Sequence, residues 1–263
     1  MNVTQKSIKN YESISEEVKH LTNSLVRLKI LAILYEQPLN MKGINKTTGL
    51  SYSSISSNMV SLELEEYIYR EGNFYFISNV AKFYISNILE LNHTIKLLNK
   101  FFNILDAHIV DIIPEESVAE LYLLGNAVLI ESTDKDIYKV YNIIKCALEE
   151  ACCLKCVLPV VHDDFNKCIN DLIDGDNIVE ILVPNNIEDN FKNFLNLGKD
   201  CIDLATFNND YNFLLVVTDK IMILGLFRED GNFDQNRIIT SKKEDSVKWG
   251  ENLFENFKNK ISK

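Results

Sequence analysis

Between Leu28 and Ser78 the apolar positions change rhythm in a fixed order. Leu28, Ile30, Leu31, Ile33 and Leu34 carry the spacing of one buried helical face and predict a first helix over residues 25–36. Gln37-Pro38 ends it, because a residue before proline avoids the helical region. A short helix from Met41 follows, closed by Gly49, which tolerates a left-handed helix end. Ser51 is the expected N-cap of a Ser-rich helix over residues 51–66, with Ile55, Met59 and Leu62 turned inward. Tyr67 to Ser78 then reads as a hairpin that turns at Gly72-Asn73, with Tyr67, Tyr69, Phe74 and Phe76 supplying strand propensity on either side. Helices and hairpin in this order spell a winged helix-turn-helix, whose second motif helix can enter the major groove of DNA.

Elsewhere the pattern is of another kind. Ile8, Tyr11, Ile14 and Val18 predict a short leading helix. Residues 80–108 form a long amphipathic stretch, with Phe83, Ile85, Ile88, Leu91, Ile95, Leu98, Phe101, Phe102 and Leu105 at spacings of three and four. Such a stripe can pack on a second copy of itself or bury itself on the flanking domains. From Pro114 onward helical and strand-like segments alternate: helices over 137–150, 166–174, 187–197 and 246–260, and strands over 153–161, 178–183, 213–218 and 221–227. The expected architecture is a two-domain α+β and α/β chain. A winged helix-turn-helix occupies residues 1–79, a linking and dimerisation helix 80–112, and an α/β regulatory domain that senses an effector 113–263.

Charge sharpens this division. The chain has 263 residues and a net charge of −11. Residues 1–110 hold 11 Lys and Arg against 10 Asp and Glu, leaving 16 against 28 in the remainder. The acidity sits in the C-terminal part, and the N-terminal part stays near neutral, which permits phosphate contact through a local patch. No apolar run reaches the roughly 18 residues of a membrane span, and Met1 to Lys9 lacks the apolar core of a secretory signal. A cytoplasmic protein with reduced cysteines and no membrane partner is expected.

The candidate DNA contacts follow from the reading helix and the wing. Ser51, Tyr52, Ser53, Ser54, Ser56, Ser57 and Asn58 are polar groups able to bond phosphates and base edges. The cations nearby are Lys42, Lys46 and Arg70, with Asn73 at the wing tip; Arg70 is the best placed for phosphate or the minor groove. The alternative is a solvated polar face. Glycine-rich phosphate loops, His-Glu-x-x-His and Gly-x-Ser-x-Gly are all absent, so no enzyme, cofactor or metal is expected. Cys152-Cys153-Leu154-Lys155-Cys156 has Cys-x-x-Cys spacing, but on a strand such residues face opposite ways, which favours packing. His162 with Asp163 and Asp164 follows a strand, where open α/β sheets place ligands, or is an ordinary loop histidine.

One motif carries a resemblance. Leu224-Gly-Leu-Phe-Arg-Glu-Asp-Gly-Asn-Phe-Asp234, followed by Ser246-Val-Lys-Trp-Gly-Glu-Asn-Leu-Phe254, resembles archaeal transcriptional regulators of the methanogenesis or filamentation regulator type. With the winged helix the resemblance covers residues 24–258. It implies an ArsR-like N-terminal winged helix, a C-terminal regulatory domain and archaeal transcriptional control, as a dimer. The chain departs from that pattern in lacking Lys and Arg on its reading helix. In physical terms Asp230-Gly231 suits a tight turn. Trp249 and Gly250 start the last helix, as a cover over a pocket or as a clasp in which Trp249, Leu253 and Phe254 pack on the hairpin. Candidate effector contacts are His162, Asp230, Asp234 and Trp249. The expected function is a dimeric DNA-binding regulator with an unidentified small-molecule effector. The alternative is a redox-sensing or protein-interaction module built on the acidic domain and its cysteines.

Overall fold

Each helix of the N-terminal unit is bounded by its own local chemistry. The computed structural model describes residues 22–208 and 213–262; the leading helix expected around Ile8 to Val18 lies outside them. Helix α1 (Leu25–Glu36) starts at Ser24, whose side chain accepts from the Arg27 N–H, and stops at Gln37, held extended before Pro38. Helix α2 (Met41–Thr48) is capped by the Asn40 side chain and ended by Gly49 at φ 70°. Helix α3 (Tyr52–Leu64) is capped by Ser51, which accepts from the Ser54 N–H. Strands β1 (Ile68–Glu71) and β2 (Phe74–Ile77) pair antiparallel as the wing. Leu39 bridges Tyr75 through two backbone hydrogen bonds, so the turn between α1 and α2 becomes a third edge of the wing. Ile30, Leu31, Leu34, Ile44, Ile55, Met59, Leu62, Ile68 and Ile77 form the core beneath.

Helix α4 (Asn79–Leu105) is continuous for 27 residues, about 40 Å at 1.5 Å per residue. The chain divides into two compact units inside it, one ending at Asn92 and the next beginning at His93. Ala81 and Ile85 join the core of the first unit; Leu97, Phe101 and Ile104 join a core of the second. A further stripe stays exposed: Val80, Tyr84, Leu91, Ile95, Leu98 and Phe102. At 3.6 residues per turn Val80, Tyr84 and Leu91 of the first unit fall within about 40°, and Ile95, Leu98 and Phe102 of the second within about 60°. The apolar positions that form one pattern in the sequence therefore serve separate surfaces.

The second unit is built on a seven-stranded mixed sheet in the order β3-β9-β8-β7-β4-β5-β6. Its strands are β3 (Val128–Glu131), β4 (Cys153–Val157), β5 (Ile178–Pro184), β6 (Ile202–Phe207), β7 (Phe213–Thr218), β8 (Met222–Leu226) and β9 (Arg237–Ser241). Strands β4, β5 and β6 run parallel; the other pairings are antiparallel. Helices α6 (Lys139–Glu149), α7 (Asp163–Asp174) and α8 (Glu188–Phe194) follow β3, β4 and β5. Short helix α5 (Glu115–Ala119) precedes β3, and α9 (Glu244–Ile261) closes the chain. Strand β7 shows why its sequence is an unbroken apolar run: Leu214 and Val216 enter one core, and Phe213, Leu215 and Val217 enter another.

Three sequence expectations are adjusted. The strand expected over 153–161 ends at Val157, since Pro159 has no N–H to continue a ladder. The helix expected over 187–197 is short, with a 3-10 turn at Asn185–Ile187 before it. Strands β3, β6 and β9 and helix α5 are additions.

Candidate nucleic-acid interface and ligand cavity

Helix α3 separates its residues by face. Ile55, Met59 and Leu62 are buried, whereas Ser51, Tyr52, Ser53, Ser56 and Ser57 are exposed and Ser54 and Asn58 are half-buried. The exposed hydroxyls are organised locally. Ser51 Oγ lies 3.1 Å from Ser53 Oγ, Ser57 Oγ donates to the Ser54 carbonyl at 3.2 Å, and the Asn58 amide donates to the same carbonyl at 2.8 Å. Lys42 and Lys46 are exposed on α2. In the wing, Arg70 lies over the Tyr75 ring at 5.6 Å, and its Nε–H donates to the Gly72 carbonyl at 2.8 Å. That bond fixes the guanidinium at the turn, beside exposed Asn73. At the far end of α3, Glu65 lies 3.5 Å from Arg27 Nη1 and accepts from the Ser61 hydroxyl at 2.9 Å. One carboxylate is thereby drawn toward α1.

The second unit contains a cavity of about 270 Å³ against the loop that follows β4. Its wall combines the rings of Tyr138, Tyr141, His162, Phe165 and Phe233 with aliphatic side chains, and Gln235 and Asn236 add amides. Strand β4 lies between parallel β5 and antiparallel β7, and Val160, Val161 and His162 beyond its carboxyl end line the cavity. His162 caps α7, its Nδ1 accepting from the Asp164 N–H at 3.3 Å. Its ring centre lies 4.9 Å from that of Tyr141 and 4.6 Å from that of Phe165. The Tyr141 hydroxyl donates to Asp164 in a very short hydrogen bond. That bond pushes the Tyr141 hydroxyl up to about 12 and lowers the Asp164 carboxyl.

The other sequence candidates are distributed differently. Asp230 is exposed, and its carboxylate accepts from the Asn232 N–H at 2.9 Å, shaping the turn through Gly231. Hydrogen bonds from Asn232 lower its pKa. Trp249 has no exposed surface; its indole N–H donates to the Ser117 carbonyl at 2.9 Å. Neither lines the aromatic cavity, and Trp249 packs as a clasp with Leu253 and Phe254. Gly250 beside it lets α9 approach the sheet: a Cβ there meets Met222 Cγ at 2.7 Å and Val217 Cγ2 at 2.8 Å.

Asp234 lies between cavity-lining Phe233 and Gln235 but is itself sealed. It accepts from Arg228 at 3.1 Å and Arg237 at 2.7 Å, and its Oδ2 lies 2.9 Å from His108 Nε2. Burial pushes its carboxyl up, but the bonds from Arg228, Arg237 and His108 prevail and hold it at about 2. His108 Nδ1 lies 2.5 Å from the Ile104 carbonyl near the end of α4. The Ile109 N–H donates to the Phe227 carbonyl at 2.8 Å and reinforces the same junction. The conspicuous motif therefore ties the β8–β9 connection to the C-terminal end of α4, and Gly225 seats the Phe233 ring: a Cβ there meets it at 3.0 Å. Sequence reading singled out Asp234 but not His108, Arg228 or Arg237.

The cysteines divide by face as the strand rhythm requires. Cys153 is exposed and Cys156 fully buried, with its thiol pushed well up by burial; Cys152 is exposed just before the strand. Among the described residues no cluster of three potential metal ligands occurs, and no helix is long and apolar enough to cross a membrane.

Compared with known proteins, the full chain aligns with the structure of TrmBL2, an archaeal chromatin protein. The identity is 14%, with 95% of this chain and 96% of that one covered, and the TM-score is 0.40. A phospholipase D family member, Nuc from Salmonella typhimurium, aligns at 12% identity over 51% of this chain and 91% of its own, with a TM-score of 0.35. An IclR-family regulator from Rhodococcus sp. aligns at 10% identity over 92% and 93%, with a TM-score of 0.22. No curated protein matches in sequence. Residues 137–260 match the family model described as the middle domain of the methanogenesis regulatory protein FilR1, which makes most of the sheet unit similar to a domain from a regulator.

Proposed function

We propose that this protein is a DNA-binding transcriptional regulator. It works as a homodimer, and its sheet unit senses a small-molecule effector. The observation that carries the reading is the exposed seryl face of α3, presented between α2 and the wing with its apolar face sealed below. The match of residues 137–260 to a regulatory protein's middle domain supports it. No catalytic step is assigned to the chain.

In this reading α3 contacts base edges, while Lys42, Lys46 and Arg70 contact phosphates. The exposed stripe on α4 packs on its counterpart in a second copy, because a single weakly basic reader gains affinity by engaging two half-sites. The effector occupies the aromatic cavity beside His162. Its contacts with Phe233, Gln235 and Asn236 act on the segment whose Asp234 grips His108 near the end of α4, which gives a ligand a physical handle on that helix.

Fluorescence anisotropy of labelled duplexes from the gene's upstream region, against a scrambled duplex, tests the reading. Three cations per protomer, six per dimer, predict a slope of log affinity on log salt of about −5. Specific binding with that steep salt dependence is the expected result; absence of binding at low salt overturns the proposal.

A further inference from the structure

We propose that the groove between α6 and the sheet at β3, β9 and the β7–β8 turn binds an amphipathic anion, with an aliphatic body and a carboxylate or phosphate head. The groove encloses about 720 Å³, within the range of small-molecule sites. It is distinct from the aromatic cavity and lies within the sheet unit. Its floor is apolar: Val128, Ile130 and Ile221 from the sheet side, Ile143 and Ala147 from α6.

The rim is cationic. Lys139, Lys220, Lys242 and Lys243 face it, against two acids, Asp136 and Glu150. A surplus of two positive charges is unusual in a region where acids outnumber bases by 28 to 16. Several lysines elsewhere in this unit are matched to carboxylates: Lys155 and Lys258 to Glu180, Lys192 to Glu188, Lys199 to Asp176. Among the described residues Lys139, Lys242 and Lys243 have no such partner. Lys220 is anchored instead, its ammonium donating to the Glu150 carbonyl at 2.5 Å. Ammonium groups without carboxylate partners over an apolar floor match a ligand with both characters. Inorganic phosphate leaves the floor wet, and a neutral lipid leaves the lysines unused. Residues 139–149 of α6 span about 15 Å, which fits a chain of about a dozen carbons.

The inference is independent of DNA binding and survives its failure. The full-length chain is titrated calorimetrically with alkyl carboxylates and alkyl phosphates of six to fourteen carbons, below their micellar concentrations, with alkyl alcohols and inorganic phosphate as controls. Affinity is expected to rise about fourfold per methylene and to level off near a dozen carbons. The two anionic series distinguish the head groups; both should exceed the alcohols at least tenfold. The double variant Lys242→Gln, Lys243→Gln should weaken the anions at least tenfold and leave the alcohols unchanged. Cys146 lies in the groove and is exposed, so saturating decyl carboxylate or phosphate should slow its alkylation by maleimide at least tenfold. Exposed Cys152 and Cys153 should react at an unchanged rate. Equal affinity for alcohols and anions, an unprotected Cys146, or no binding in either series each overturns the proposal.

Discussion

Replacing Asp234 by Asn keeps the shape of the buried junction and removes its charge. The carboxylate has no exposed surface and is the common acceptor for Arg228, Arg237 and His108. The consequences differ among the three partners. Arg228 and Arg237 have side chains 44% and 26% exposed and can turn to water; His108 is sealed and cannot. Breaking a buried pair costs roughly 3–5 kcal/mol, and the Asn oxygen still accepts one bond, so a loss of about 2–3 kcal/mol is expected. In a unit running from His93 to Lys263, that lowers the melting temperature by roughly 5–10 °C. The single tryptophan, Trp249, is buried in this unit and reports its unfolding by fluorescence. The pH dependence supplies a second test. The Asp234 pKa is depressed to about 2 in the folded chain, so its contribution is present above the unfolded value near 4 and is lost as pH falls toward 2. That drop, about 2 kcal/mol, should be missing from the variant's own pH profile. A variant within about 0.5 kcal/mol of the parent at pH 7, or one with an unaltered acid limb, refutes the reasoning.

Gly250→Ala places a methyl group where Met222 and Val217 already stand, and should destabilise the sheet unit by about 1–3 kcal/mol in chemical denaturation; an unchanged midpoint shows that α9 can shift freely. Ser56→Glu with Ser57→Glu adds two charges to the exposed face of α3, and should abolish DNA binding with little change in unfolding; retained affinity moves the interface elsewhere. Leu91→Asp with Phe102→Asp on the exposed stripe of α4 should convert a dimer to a monomer in sedimentation velocity, and an unaltered mass removes that stripe from the interface.

The reading unit was legible because its signals are local. Ser24, Asn40, Ser51 and Gly49 act on neighbours a few residues away, so a short window contains both cause and effect. In the sheet unit the long apolar strands were equally plain, since β7 and β8 are buried throughout. Strand β6 was not, because Asp203 interrupts its apolar pattern and is satisfied by Lys258 of α9, far along the chain. Strand β9 is short and ends in Thr240 and Ser241, polar residues whose burial is compensated at distance; the Thr240 hydroxyl donates to the Met222 carbonyl. Helix-strand alternation indicated an α/β sheet, and reversals through β7, β8 and β9 make that sheet mixed. At the candidate sites, His162 was visible from its place after a strand. Tyr141 falls inside an ordinary expected helix and Phe165 just before another, and one partner of Asp234, His108, stands 126 positions earlier, where no sequence window reaches. Trp249 was ambiguous between cover and clasp, and its complete burial makes it a packing group.

The most direct test of α3 as a reading element is selection of bound fragments from the source genome, sequenced for the parent chain and for the Ser56→Glu, Ser57→Glu variant. The account predicts that the parent enriches a discrete set of sites with paired half-sites about one helical turn apart, and that the variant enriches none. Equal enrichment by both proteins, or no enrichment by the parent, contradicts it.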